Sequence, residues 1–193
     1  MPRALESLAV WPVLGGLVFL MRALGFAYNE VVVALVDEPR SLRRLRRFTK
    51  LLSASNTSVL LLLAATPLSD LWFVRVSALT PALTTLANNG LWIFVLMPGL
   101  CVWQNWFQGI IVHGRRTRGI PEAMALAIAT SVSILIAGVL HGRITGVYVG
   151  LTAAVMANFT QVAWLRFRSR PTMRALEVRD GLRQGVDTHT VVV

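Results

Sequence analysis

Apolar residues gather in this chain into long runs divided by short polar stretches, and the lengths of those runs set the predicted elements. The first runs from about Leu8 to Val36. At about 1.5 Å per residue it exceeds the roughly 30 Å hydrocarbon core of a bilayer, so tilting, a kink near Gly15 and Gly16, or partial interfacial placement is expected. A second run, from about Phe48 to Ala65, stops at Thr66-Pro67, a pair that cannot continue a helix. The third, Leu91 to Val112, carries Pro98-Gly99 inside it, where a kink is expected. Pro121 and Glu122 open the fourth, which continues to Leu140; both residue types favour a helix N-terminus. After His141-Gly142-Arg143 the fifth occupies Ile144 to Leu165. Five hydrocarbon-length runs predict an all-α, polytopic helical membrane protein.

Two polar-apolar mixtures add detail. From Ser69 to Asn89, the residues Trp72, Phe73, Val76, Leu79, Leu83 and Leu86 recur every three to four positions among polar ones. That pattern predicts an amphipathic helix lying in the interface or folding back into the bundle, broken by Pro81. Ser41 to Lys50 places Leu42, Leu45 and Phe48 opposite arginines and reads as a separate interfacial helix held by anionic headgroups. Gly142, Gly146 and Gly150 repeat at four-residue spacing, a close-packing pattern whose nearest partner is the fourth span. Residues 1–170 are thus expected to form the transmembrane bundle and residues 171–193 a cytoplasmic tail.

Charge orients these elements. Apart from Arg3, Arg22, Arg75 and Arg143, every Lys and Arg lies in one of three stretches: Arg40 to Lys50, Arg115 to Arg118, and Arg166 to Arg183. By the positive-inside rule these face the cytoplasm of a cell, or inner, membrane, which puts the N-terminus outside and the C-terminus inside. A short, weakly charged outer N-terminus is uncommon at the start of a protein, so upstream helices are expected. Hydrophobic residues make up 55% of the sequence and charged ones 15%, with a mean hydropathy of +0.62, too apolar for a soluble domain. The net charge of +10 punctuates apolar runs instead of covering a water-facing surface. It therefore predicts contact with the bilayer and its anionic headgroups, not nucleic acid. Cys101 is the only cysteine, so no disulfide framework is available.

Candidate chemistry lies in the polar residues at membrane depth: Arg22, Asn29 and Glu30 in the first span, Asn56 in the second, Gln104, Asn105 and Gln108 in the third, Asn158 and Gln161 in the fifth. Each is expensive against lipid and is expected to face the bundle interior or a water-filled cavity. Amides at such positions serve equally well as interhelical hydrogen-bond pairs. Glu30 is a candidate to bind and release a proton or cation, unless it lies at the cytoplasmic end of its span. Arg22, two helical turns away on a similar face, is a candidate for attracting an anionic group. The three histidines have no second ligand at metal-binding spacing, and no phosphate loop, Ser-His-Asp order or catalytic carboxylate pair appears, so neither an enzyme nor a resident cofactor is expected.

The order of features resembles the later helices of the multidrug, oligosaccharidyl-lipid and polysaccharide flippase superfamily. The likeness is carried by Arg46-Arg47-Phe48-Thr49-Lys50 leading into a span, Thr66-Pro67-Leu68 at its far end, an amphipathic outer connection, a Gln-rich helix running into His113-Gly114-Arg115-Arg116-Thr117-Arg118, and Gly142 to Gly150 opening the last helix. It spans about residues 8 to 170 and is nearest to the drug-extruder and progressive-ankylosis-type branch. What this resemblance implies is two six-helix lobes around a central cavity, with alternating access driven by a sodium or proton gradient. The five spans match helices eight to twelve, so the remaining helices are expected from a missing N-terminal lobe or a partner subunit. The expected function is secondary active export of an amphiphilic or anionic solute; the alternative is a non-transporting membrane assembly or scaffold subunit, or a remnant half-transporter. A cavity lined by the polar residues favours the first, and amides paired across dry helix contacts favour the second.

Overall fold

The computed structural model describes residues 3–38, 41–115 and 117–190, with side chains as far as residue 181. Arg40, Arg116 and Val191 to Val193 fall outside it, as do the side chains of Arg183 and His189. The chain forms α1 (Ala4–Leu35), α2 (Ser41–Ala65), the short α3 (Leu68–Leu71) with a π-helical turn at Trp72–Val76, α4 (Pro81–Phe94), α5 (Met97–His113), α6 (Gly119–His141) and α7 (Gly146–Thr190). No strand occurs among the described residues. Five helical segments are long and apolar enough to cross a membrane: α1, α2, α4 with α5 taken together, α6, and α7 as far as Gly181.

The Arg-rich Ser41 to Lys50 stretch is not a separate interfacial helix but the first turns of α2. Leu42, Leu45, Thr49, Asn56 and Leu60 are buried along one stripe. Their helical spacing stays in phase from the arginines into the apolar run, and no breaker intervenes. The third span departs from expectation as well. Pro81 breaks the Ser69 to Asn89 stretch, and the part that follows it takes the second of its two expected placements, folding back into the bundle as α4 and burying Thr84, Ala87, Leu91 and Phe94. The interruption falls at Val95 and Leu96, ahead of Pro98 in the first turn of α5. Proline has no N–H to give the carbonyl four residues earlier, here Phe94, and its ring crowds that carbonyl, so the helix stops before the proline and restarts with it. α7 continues through Pro171 into the tail residues.

α5 is the central strut, packed against α1, α2 and α7, while α6 lies outside against α7. Glycines set the closest approaches. A Cβ at Gly109 would lie 2.6 Å from Val32 of α1, and one at Gly138 of α6 would collide with Val149 of α7. Gly150, expected to face the fourth span, instead receives the Trp11 ring of α1, to which an added Cβ would come within 2.8 Å. Gly142 acts through its backbone instead, ending α6 at φ +66° in the left-handed conformation that favours glycine. Contacts of Gly25 with Cys101 and of Gly109 with Val32, and of Asn158 with Gln104 and Thr172 with Gly114, show α1, α5 and α7 running in one direction. α2 and α6 run the other way, since Asn56 meets Met21 and Thr49 meets Tyr28, and Glu122 meets Trp164. The end at which α1, α5 and α7 leave the bundle and α2 and α6 enter carries the basic clusters and is called the basic end.

Candidate functional site

Two apolar clusters fill the bundle along its length. One, at the far end, is built on Leu14, Leu60, Phe73, Leu91 and Leu151; the other, at the basic end, on Val32, Leu45, Trp106, Ile110 and Leu165. Between them and into the inner part of the second, α1, α2, α5 and α7 all contribute polar side chains. Burial without a partner costs each such group about 1–3 kcal/mol, so the donors are expected to be matched.

Most are. Asn56 Nδ2 donates to the carbonyl of Met21 at 3.0 Å, tying α2 to α1. Asn29 Nδ2 lies 3.5 Å from Asn105 Oδ1, a long pairing of α1 with α5. Asn105 also donates back to the Cys101 carbonyl at 2.8 Å, and Cys101 Sγ lies 3.9 Å from the carbonyl of Arg22. Asn158 Nδ2 donates to Gln104 Oε1 at 3.0 Å, tying α7 to α5. These bonds bring Asn29, Asn56, Gln104, Asn105 and Asn158 together as direct interhelical pairs. Gln108 is half-buried and Gln161 is buried, and neither enters these pairs.

The two charged candidates separate. Glu30 is exposed on α1 and does not face the interior of this bundle. The Tyr28 hydroxyl two residues earlier bonds Thr49 at 2.7 Å and the Leu45 carbonyl at 3.1 Å, which sets Glu30 level with the Arg43 to Lys50 turns. Arg22 lies deeper, level with Asn56 and Cys101. It is half-buried and its Nε is buried without a hydrogen-bond partner. The guanidinium sits 5.3 Å from the Phe26 ring centroid, and among the described residues it pairs with no carboxylate. Asn158 Oδ1 is a second buried, unpartnered polar atom of the same layer.

At the basic end, side chains distant in sequence converge. A cleft of about 710 Å³ is lined by Arg115, Arg118, Arg168, Arg170 and Arg174, and a second of about 360 Å³ by Arg46, Lys50 and Arg166 with Trp103, Trp106 and Phe107. Sequence reasoning assigned the arginines loop by loop and the aromatics to a span. The signal that could have joined them is helical phase, which puts Arg46 and Lys50 one turn apart on α2. Glu122 closes this end of α6: one carboxylate oxygen accepts from Trp164 Nε1 at 3.1 Å and both lie 3.1 Å from Arg168 nitrogens. Among the described residues, no group of three His, Cys, Asp or Glu side chains could hold a metal ion.

Fold and polar layer together define a multi-pass, all-α membrane protein. Comparison with models of known families, with curated proteins and with solved structures finds no match.

Proposed function

We propose that this chain is a membrane-embedded lobe of a secondary transporter for an anionic amphiphile, and that Arg22 is its contact with the solute. The observation that carries the reading is Arg22 itself. A cation in the middle layer of a membrane bundle is expensive unless it is paired or wet, and such residues mark solute and ion pathways. Here the guanidinium is half-buried, stacked on Phe26 and unpaired by any described carboxylate, and an anionic group beside it would supply the missing partner. Rocking of helix bundles about such a mid-depth site is the usual route of alternating access, with a sodium or proton gradient as the energy source. The resemblance to flippase-type exporters supplies the lobe and its partner helices in this proposal. Glu30 enters it only as a group at the basic mouth.

The amides favour a second reading for themselves. Their direct pairing across α1–α5, α1–α2 and α5–α7 is the pattern expected of an assembly subunit, and in either reading they hold helices together without lining a path. A test separates the two. Sealed vesicles containing the reconstituted chain and loaded with a fluorescent amphiphilic carboxylate should lose the dye faster than empty vesicles under an imposed sodium or proton gradient. Arg22→Gln should reduce that rate roughly tenfold, the effect of about 1.4 kcal/mol. Vesicles no faster than empty ones, or an Arg22→Gln rate equal to wild type, would favour the assembly subunit.

A further inference from the structure

We infer that the cleft between α2, α5 and α7 is a specific binding site for one anionic phospholipid from the leaflet at the basic end of the bundle. This goes beyond the transport reading and does not rest on it. The cleft, about 360 Å³ in volume, brings together Arg46 and Lys50 of α2 and Arg166 of α7 with Trp103, Phe107 and Val162. Its chemistry is graded along the helix axes. Arg46 and Lys50 lie on the Arg-rich first turns of α2, and Arg166 follows the last apolar run of α7. Val162 lies one turn farther into the bundle on α7, and Trp103 one turn farther in than Phe107 on α5. Cations at the boundary with aromatic and aliphatic walls just inside it match a phospholipid, whose phosphate and first acyl carbons follow in the same order.

The cations are available for such a ligand. Among the described residues Lys50 and Arg166 pair with no acid. Arg46 has only Glu177 at 3.9 Å, with both side chains more than half exposed, a pair that solvent screens to little strength and that a phosphate can replace. The floor is rigid, since Trp106 is 1% and Phe107 4% exposed and Trp103 stacks on Phe107 with centroids 5.7 Å apart. Basic pockets between transmembrane helices are a recurrent form of headgroup recognition, which separates this cleft from the general attraction of a basic surface for anionic lipid. The tails would lie along the exposed outer surface of the helices.

The test is native mass spectrometry of the full chain, purified in detergent and titrated with phosphatidylglycerol or phosphatidylcholine. The expected result is a single retained phosphatidylglycerol at low lipid ratio, with phosphatidylcholine retained only at roughly tenfold higher ratio or more. Arg46→Gln/Lys50→Gln/Arg166→Gln should abolish that preference. Arg43→Gln/Arg44→Gln/Arg47→Gln removes the same charge outside the cleft and should keep it within about twofold. Because every substituted side chain is exposed, both variants should fold. A readout on the wild type alone uses lipids brominated on the upper acyl chain: tryptophan fluorescence should be quenched by the anionic lipid at ratios where the zwitterionic one has no effect. Equal loss in the two triple variants would overturn the site in favour of diffuse attraction. So would displacement of the lipid by inorganic phosphate at matching concentration, which would make the cleft a soluble-anion site.

Discussion

Glycines and amides do the work of tight packing in this bundle, where lipid supplies no hydrophobic drive for helices to associate. Gly138 is the clearest case, because Val149 of α7 occupies the space its side chain would need. Gly138→Val should destabilise the α6–α7 pair by about 1–3 kcal/mol, the usual effect of overpacking. Gly16 is the opposite case: nothing lies within 4 Å of its would-be Cβ and it sits inside α1. Gly16→Ala should therefore leave the protein as stable or raise its stability by about 0.4–1 kcal/mol through helix propensity and unfolded-chain entropy. Thermal unfolding in detergent reads both, and a Gly138→Val melting temperature equal to wild type would contradict the packing. The sequence pattern pointed to close packing at Gly142, Gly146 and Gly150. It could not show that Gly150 receives Trp11 or that the glycine of the α6–α7 contact is on α6, because small-residue spacing names a surface and not its partner.

At the scale of elements, the five spans were readable because hydrocarbon-length runs leave few alternatives once backbone polar groups must be satisfied internally. Their ends were less so. The start of α2 was hidden by its arginines, whose charge suggested an interface although Leu42 and Leu45 continue the buried stripe. α4 was hidden by its threonines and asparagines: Thr84 is buried and bonds the Thr80 carbonyl at 3.1 Å, so a polar residue on an apolar face cost the stretch its appearance as a span. The outermost packed element, α6, touches the rest of the bundle mainly through α7, and Glu122 is its polar tie to that helix at the basic end. Since Glu122 and Arg168 are both about two-fifths exposed, Glu122→Ala should cost only about 0.5–1 kcal/mol at low salt, and less as salt rises. The same change should alter the emission of Trp164, whose indole N–H loses its acceptor. A loss independent of ionic strength would show that packing, not charge, holds this end.

For the whole molecule, the architecture is a strut, α5, with helices on three sides and a polar layer between two apolar clusters. Much of that layer was legible in the sequence as costly polar residues, and the structure brings five of the amides together. The two charges could not be told apart from sequence, because depth depends on which turn of α2 faces which turn of α1. The Tyr28 bond to Thr49 sets Glu30 level with the Arg-rich turns of α2, and the Asn56 bond to Met21 sets Arg22 deeper. The proposed transport turns on Arg22 facing a water-reachable place for an anion. The most direct measurement is thiol accessibility at that position, with Cys101→Ser removing the only native cysteine and Arg22→Cys supplying the probe. In intact membranes the new thiol should react with a membrane-impermeant anionic thiosulfonate. A position 22 thiol that reacts only after the membrane is dissolved would contradict the proposal, placing this residue in a dry helix contact or against lipid.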